Sequence, residues 1–213
     1  MTTPRDLMIT AMDVTPSPPA AGDLSLALAG AELVDLLAAE AIRLDDDRIV
    51  PALRPALADR LLDQAATSLT REPPYESVAD WLWRRGSGLA SAYLAALEAD
   101  GQLTRRRRRG LPFRTGRMVP ADSPVRRRAA DRWASHEPVL TALATAVGIP
   151  GRDGGDTGDG DTGDKETEEA PGTTDDATET VIVAVNEALL ELEAVRQRRS
   201  IEQAAFDNVW RGY

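Results

Sequence analysis

DLSLALAGAELVDLLAAEAIRLDDDRIV, residues 23–50, is the stretch on which the fold turns. Leu26, Gly30, Leu33 and Leu37 recur at three- and four-residue steps, the period of one helical face, with Asp23 placed as the N-cap. Glu32 and Asp35 fall away from that face, so both are expected on its wet side and make a poor catalytic carboxylate pair. The period then changes: Ile42, Leu44, Ile49 and Val50 flank DDDR and predict a short hairpin.

The helical period continues outward. Leu57, Leu61, Leu62 and Leu69 predict a helix ended by the prolines of REPPY, and Ser77 through Arg85 a short one carrying Trp81 and Trp83. A third, from Leu89 through Tyr93 to Leu97, stops at Gly101, a residue suited to the left-handed conformation that closes a helix. Residues 102–119 predict a second hairpin with GLP at its tip. Ser123 and Pro124 then read as N-cap and first-turn proline of a helix faced by Val125, Ala129 and Trp133. Val139, Leu143 and Val147 continue in another, closed by Gly148 and Pro150.

Residues 151–180 contain no Leu, Ile, Val, Met or aromatic residue, so they cannot offset the ordering entropy of a fold and are expected to be disordered. Their Asp and Gly do not make a calcium loop: counted from Asp159, position five is Gly163, position six Asp164 and position twelve Ala170, where an EF-hand needs a ligand, Gly and Glu. Beyond them, Ile182, Val185, Leu189 and Leu192 predict one helix and Ile201, Ala205, Val209 and Trp210 another. The expected fold is mainly α: a compact multi-helix body over 1–150 with a projecting basic β-hairpin at 102–119, an internal disordered acidic loop at 151–180, and two C-terminal helices over 181–213 packing back on the body.

Composition narrows the chemistry. The 213 residues hold 35 acids and 25 bases, a net charge of -10, with no cysteine and one histidine, His136. Thiolate catalysis, cysteine-ligated metals and His-paired nucleophiles are therefore absent, and neither a phosphate-cradling glycine loop nor a nucleophile elbow occurs, so no enzyme activity, cofactor or metal is expected. His136 reads as a loop or capping residue, and the four tryptophans as core. Arginine outnumbers lysine 24 to one, which suggests a GC-rich, bacterial genome. No signal-peptide pattern or long apolar run is present, so a cytoplasmic protein, peripheral at the inner face of the plasma membrane, is expected.

The strongest chemical signal is charge. Residues 104–128 hold ten arginines against one acid, Asp122. Arg105, Arg106, Arg107, Arg108, Arg109, Arg114 and Arg117 lie in the hairpin and are the candidate lipid or anion ligands, with Leu111 and Phe113 at an apolar tip suited to insertion among headgroups. The partner expected is an anionic phospholipid surface. The bland alternative pairs these arginines with the acidic linker or with Glu98 and Asp100. Rival partners are a protein with an acidic surface or a second copy of the chain. Nucleic acid is disfavoured, because the helix before the hairpin, GLASAYLAALEADG, carries no base-reaching Arg, Lys, Asn or Gln.

The order of pieces resembles the Golgi phosphoprotein 3 family: DLMITAMD, the helix and hairpin quoted above, ADWLWRRG, LAALEADGQLTRRRRRGLPFRTGRMVPAD with its Arg-rich helix, and RQRRSIEQAAFDNVW. Looser members of that family occur in GC-rich actinobacteria, in agreement with the arginine excess. The resemblance implies a largely helical body with a projecting hairpin that contributes to membrane contact and self-association. For eukaryotic members it also implies phosphatidylinositol 4-phosphate binding and adaptor work on glycosyltransferases without catalysis. The positions matching the family's Trp and Arg headgroup pocket hold Ala20, Ala29, Ser87 and Ala90, with Arg84 and Arg85 near enough to substitute. The expectation for this chain is therefore binding of anionic lipid by charge through the hairpin, in place of specific headgroup recognition.

Overall fold

A computed structural model describes residues 2–15, 18–53, 55–106, 117–151 and 175–211. Eight helices and two antiparallel strand pairs are present among them, in the order α1 (Thr3–Val14), α2 (Ala21–Ala38), β1 (Ile42–Asp45), β2 (Arg48–Pro51), α3 (Arg60–Thr67), α4 (Val78–Arg85), α5 (Leu89–Ala99), β3 (Leu103–Arg106), β4 (Arg117–Pro120), α6 (Pro124–Ala134), α7 (Pro138–Ala146) and α8 (Asp176–Arg211). The mainly α class and both hairpins agree with the sequence patterns. Of the linker expected to be disordered, residues 152–174 lie outside the described residues, while 176–180 are helical.

Helix α2 is the axis of the body. It packs against α1, α3, α4, α5, α7 and α8, and twelve of its eighteen residues are buried. A helix enclosed in this way has no wet side. That overturns the expectation for Glu32, which is fully buried, and Asp35 is only partly exposed. Gly30 sits where α8 crosses α2: a Cβ built on it would lie 2.4 Å from Val185 Cγ2, so the absence of a side chain sets the distance between these two helices.

Boundaries also shift for identifiable reasons. Helix α2 starts at Ala21, two residues before Asp23, which sits in the first turn instead of capping it and pairs with Arg196 at 2.7 Å. Helix α3 begins at Arg60 because the Asp59 side chain accepts from the Leu61 and Leu62 N–H groups, leaving Leu57 outside. The Ser123 cap forms as the sequence predicts, accepting from Arg126 N–H, whereas Ser77, expected as the first residue of its helix, caps it by accepting from Asp80 N–H. Gly101 and Gly148 close their helices at φ 67 and 76. Trp81 and Trp133 are core residues, but Trp83 is exposed. His136 occupies the turn between α6 and α7 at φ 52.

The two expected C-terminal helices are one. Nothing in ELEAVRQRRSIEQ breaks a helix, and the lapse in apolar spacing at RQRRS marks the point where α8 leaves the body. Helix α8 also begins at Asp176, inside the stretch expected to be linker, where Asp176 and Glu179 stabilise the positive end of the helix dipole. Val181, Val185 and Ala188 pack on the body, the Arg196–Asp23 pair follows, and every described side chain from Gln197 to Gln203 is exposed.

Candidate anion-binding hairpin and its surroundings

The second hairpin is held to the body at both feet. Gln102 N–H donates to the Leu97 carbonyl at 2.8 Å, Ala121 N–H donates to the Gln102 carbonyl at 2.8 Å, and the Ser123 hydroxyl bonds Gln102 Oε1 at 2.8 Å. Leu103 packs against the core and Pro120 is buried. From this footing the register runs Leu103 with Pro120, Thr104 with Val119, Arg105 with Met118 and Arg106 with Arg117. Arg105, Arg106 and Arg117 thus occupy strand positions at the outer end of the pair. Arg107, Arg108, Arg109, Leu111, Phe113 and Arg114 lie outside the described residues.

Neighbouring cations are engaged within the body. Arg126 donates to Asp13 at 2.7 Å, and Arg127 stands 3.6 Å from Asp122. Arg132 donates to Asp6 at 2.6 Å and to Glu137 at 2.9 Å. Asp100, one of the two acids that the bland alternative pairs with the hairpin, is taken by Arg5 at 2.6 Å, and Arg5 also contacts Asp59.

Arg84 and Arg85, adjacent at the end of α4, are drawn into contacts with different acids of the chain. Arg84 is half exposed, forms a fork to Glu76 at 2.6 and 2.7 Å, and lies 5.0 Å over the Trp81 ring. Arg85 turns inward: its guanidinium forks onto Glu32 at 2.7 and 2.8 Å and donates to the Leu61 carbonyl at 3.0 Å, while Tyr93 donates to the same carboxylate at 2.9 Å. Of the positions matched to the family's headgroup pocket, Ala29 and Ala90 are buried, and Ala90 N–H donates to Ser25 Oγ. Sequence reasoning did not anticipate the Arg85–Glu32–Tyr93 cluster, and no local spacing signals it, because its members come from three separate helices.

Burial dominates the electrostatics of this interior. It pushes the Glu32 carboxyl above the usual range, partly offset by Arg85 and the Tyr93 hydroxyl, and it pushes the Tyr93 phenol well above its own. Burial likewise raises Asp6 against Arg132, and Asp35 against the Thr3 N–H that it accepts at 2.8 Å. The folded chain therefore holds protons on these three carboxyls at a pH where the unfolded chain has released them. Below neutrality, in the window just above the ordinary carboxylate value of about 4, their contribution to stability rises as pH falls, and it levels off once the unfolded groups are protonated too. Thermal unfolding should give a higher midpoint at about pH 5 than at pH 7. A midpoint that falls over that interval would contradict the assignment.

Among the described residues, no helix is long and apolar enough to cross a membrane, and no group of His, Cys, Asp and Glu is placed to hold a metal ion. Residues 4–199 match the family model described as Golgi phosphoprotein 3 (GPP34). No curated protein matches the chain at a significant level.

Proposed function

The chain belongs to the Golgi phosphoprotein 3 family, and from that membership we propose that it is a non-enzymatic, peripheral lipid-binding protein whose basic hairpin attaches to anionic phospholipid. The observation that carries this reading is the hairpin's composition: seven arginines, Leu111 and Phe113, with no acid between Leu103 and Pro120. Two further points support it. The nearby acids Asp13 and Asp100 already have arginine partners elsewhere. Arg106 and Arg117 are register partners, which places two of the seven arginines at one level of the strand pair.

Binding by charge fits this chain better than recognition of phosphatidylinositol 4-phosphate. The pocket positions hold Ala20, Ala29, Ser87 and Ala90, two of them buried, and Arg85 is committed to Glu32. At about 1 kcal/mol per arginine near an anionic surface, five engaged arginines supply about 5 kcal/mol, a sub-millimolar attachment. Burial of the two apolar side chains adds about 2 to 3 kcal/mol. The resulting attachment is reversible and salt-sensitive, at the inner face of the plasma membrane of a bacterial cell.

Flotation with vesicles rich in phosphatidylglycerol tests the reading. The protein should rise with them at low salt and stay behind at high salt. Replacing Leu111 and Phe113 with Ser should weaken flotation roughly tenfold or more, the loss of at least 1.4 kcal/mol of burial. Absence of flotation at low salt would leave the hairpin to an acidic protein partner, whose purely electrostatic docking the same double substitution would spare.

A further inference from the structure

Five large apolar side chains are exposed among the described residues, and three of them share one stripe of α8: Val183 at 49%, Leu190 at 72% and Ile201 at 69% exposure. They lie opposite the face that carries Val181, Val185 and Ala188 into the core. With Glu187, Ala194 and Gln197 between them, the stripe falls on alternate steps of four and three residues, the heptad spacing of a coiled-coil seam. Among the described residues nothing covers Leu190 or Ile201, Val183 stands at the edge of a groove that it shares with Asp47, Val78 and Ala79, and every described side chain from Gln197 to Gln203 is exposed.

The helix is also divided by charge. Residues 176–193 contain five acids and no base, whereas residues 194–211 contain four arginines and two acids. Two such helices side by side repel when parallel and attract when antiparallel. In the antiparallel register that pairs residues whose numbers add to 391, Leu190 meets Ile201 of the second copy, Ala194 meets Gln197, and both contacts occur twice about a two-fold axis. The flanking positions then set Glu191 toward Arg198 of the other chain on both sides. The small Ala194 at the centre lets the helices approach closely. Each projecting half is laid against the other copy's packed half, so the two bodies sit at opposite ends.

From this coincidence of exposed stripe, heptad spacing and divided charge we infer that α8 is an antiparallel self-association face, and that its occupant is α8 of a second copy. The surface is distinct from the basic hairpin and leaves the hairpin free for its anionic ligand.

The chain contains no cysteine, so introduced ones are unique. Residues 190 and 201 are about 16 Å apart along one helix, too far for a disulfide within a chain. The full-length double variant L190C/I201C should form a disulfide-linked dimer under mild oxidation, while L190C and I201C alone should not. Sedimentation equilibrium of the unmodified chain should show mass rising from 22.9 kDa toward twice that value with concentration. Leu190→Glu should weaken the dimer at least about tenfold, a loss of 1.4 kcal/mol, with the helical circular dichroism of the monomer retained. Glu191→Arg should weaken it as well, and adding Arg198→Glu should restore it. Crosslinking by either single cysteine would overturn the antiparallel register. A chain that stays monomeric at the highest soluble concentration, or a dimer indifferent to Leu190→Glu and lost on hairpin substitution, would overturn the proposal.

Discussion

Replacing Glu32 with alanine is expected to cost about 3–5 kcal/mol of stability, because it leaves the Arg85 guanidinium half-buried with its charge unpaired and removes the acceptor of the Tyr93 hydroxyl. In a chain of this length, each kcal/mol moves the thermal midpoint by about 2–4 °C, so the variant should melt roughly 6–20 °C lower. The cost belongs to breaking the cluster and not to lacking it. Glu32→Leu combined with Arg85→Met and Tyr93→Phe fills the same space with apolar groups, and it should recover most of the loss. If the single variant melts within about 2 °C of the parent, or the triple variant is as unstable as the single one, the cluster is not the paired unit that its distances indicate.

Gly30→Val should be the second large effect. On propensity alone a helical glycine gains from substitution, but here the new Cβ would begin 2.4 Å from Val185 Cγ2, inside any permitted contact. Either α8 shifts off α2 or one side chain leaves its rotamer, which costs about 3 kcal/mol at the upper end of overpacking effects. Because α8 is packed chiefly through Val181, Val185 and Ala188, the strain falls on the contact that joins the C-terminal helix to the body. Chemical denaturation should show the loss, and Val185→Ala in the same chain should relieve most of it. A Gly30→Val protein as stable as the parent would mean that α8 packs more loosely than the 2.4 Å approach implies.

These two sites explain why part of the molecule was legible in its sequence and part was not. Some helix ends were readable because a cap acts locally, as Ser123, Gly101 and Gly148 do. Both hairpins were readable because their apolar and turn residues are adjacent in the chain. The basic hairpin announced itself through charge density alone. Glu32 misled, because polarity on a helix ordinarily marks the solvent side. Only the crossing of α4 and α5 over that side of α2 supplies Arg85 and Tyr93 to satisfy a buried carboxylate. Trp83 misled in the opposite sense, since a large aromatic on a short helix is core by default, and here the core contact is made by Trp81.

By itself the sequence determined the mainly α class, the positions of the two strand pairs, the acidic stretch and the basic stretch, because each depends on residues near one another in the chain. The tertiary structure alone decided which side of α2 is interior, how Arg85 is spent, and where α8 stops belonging to the body. The physical reason is that burial is a property of what surrounds a residue. A helix carries its periodicity in its own sequence, but the neighbours that turn a polar side into an ion-paired interior, or leave an apolar stripe uncovered, come from elsewhere in the chain.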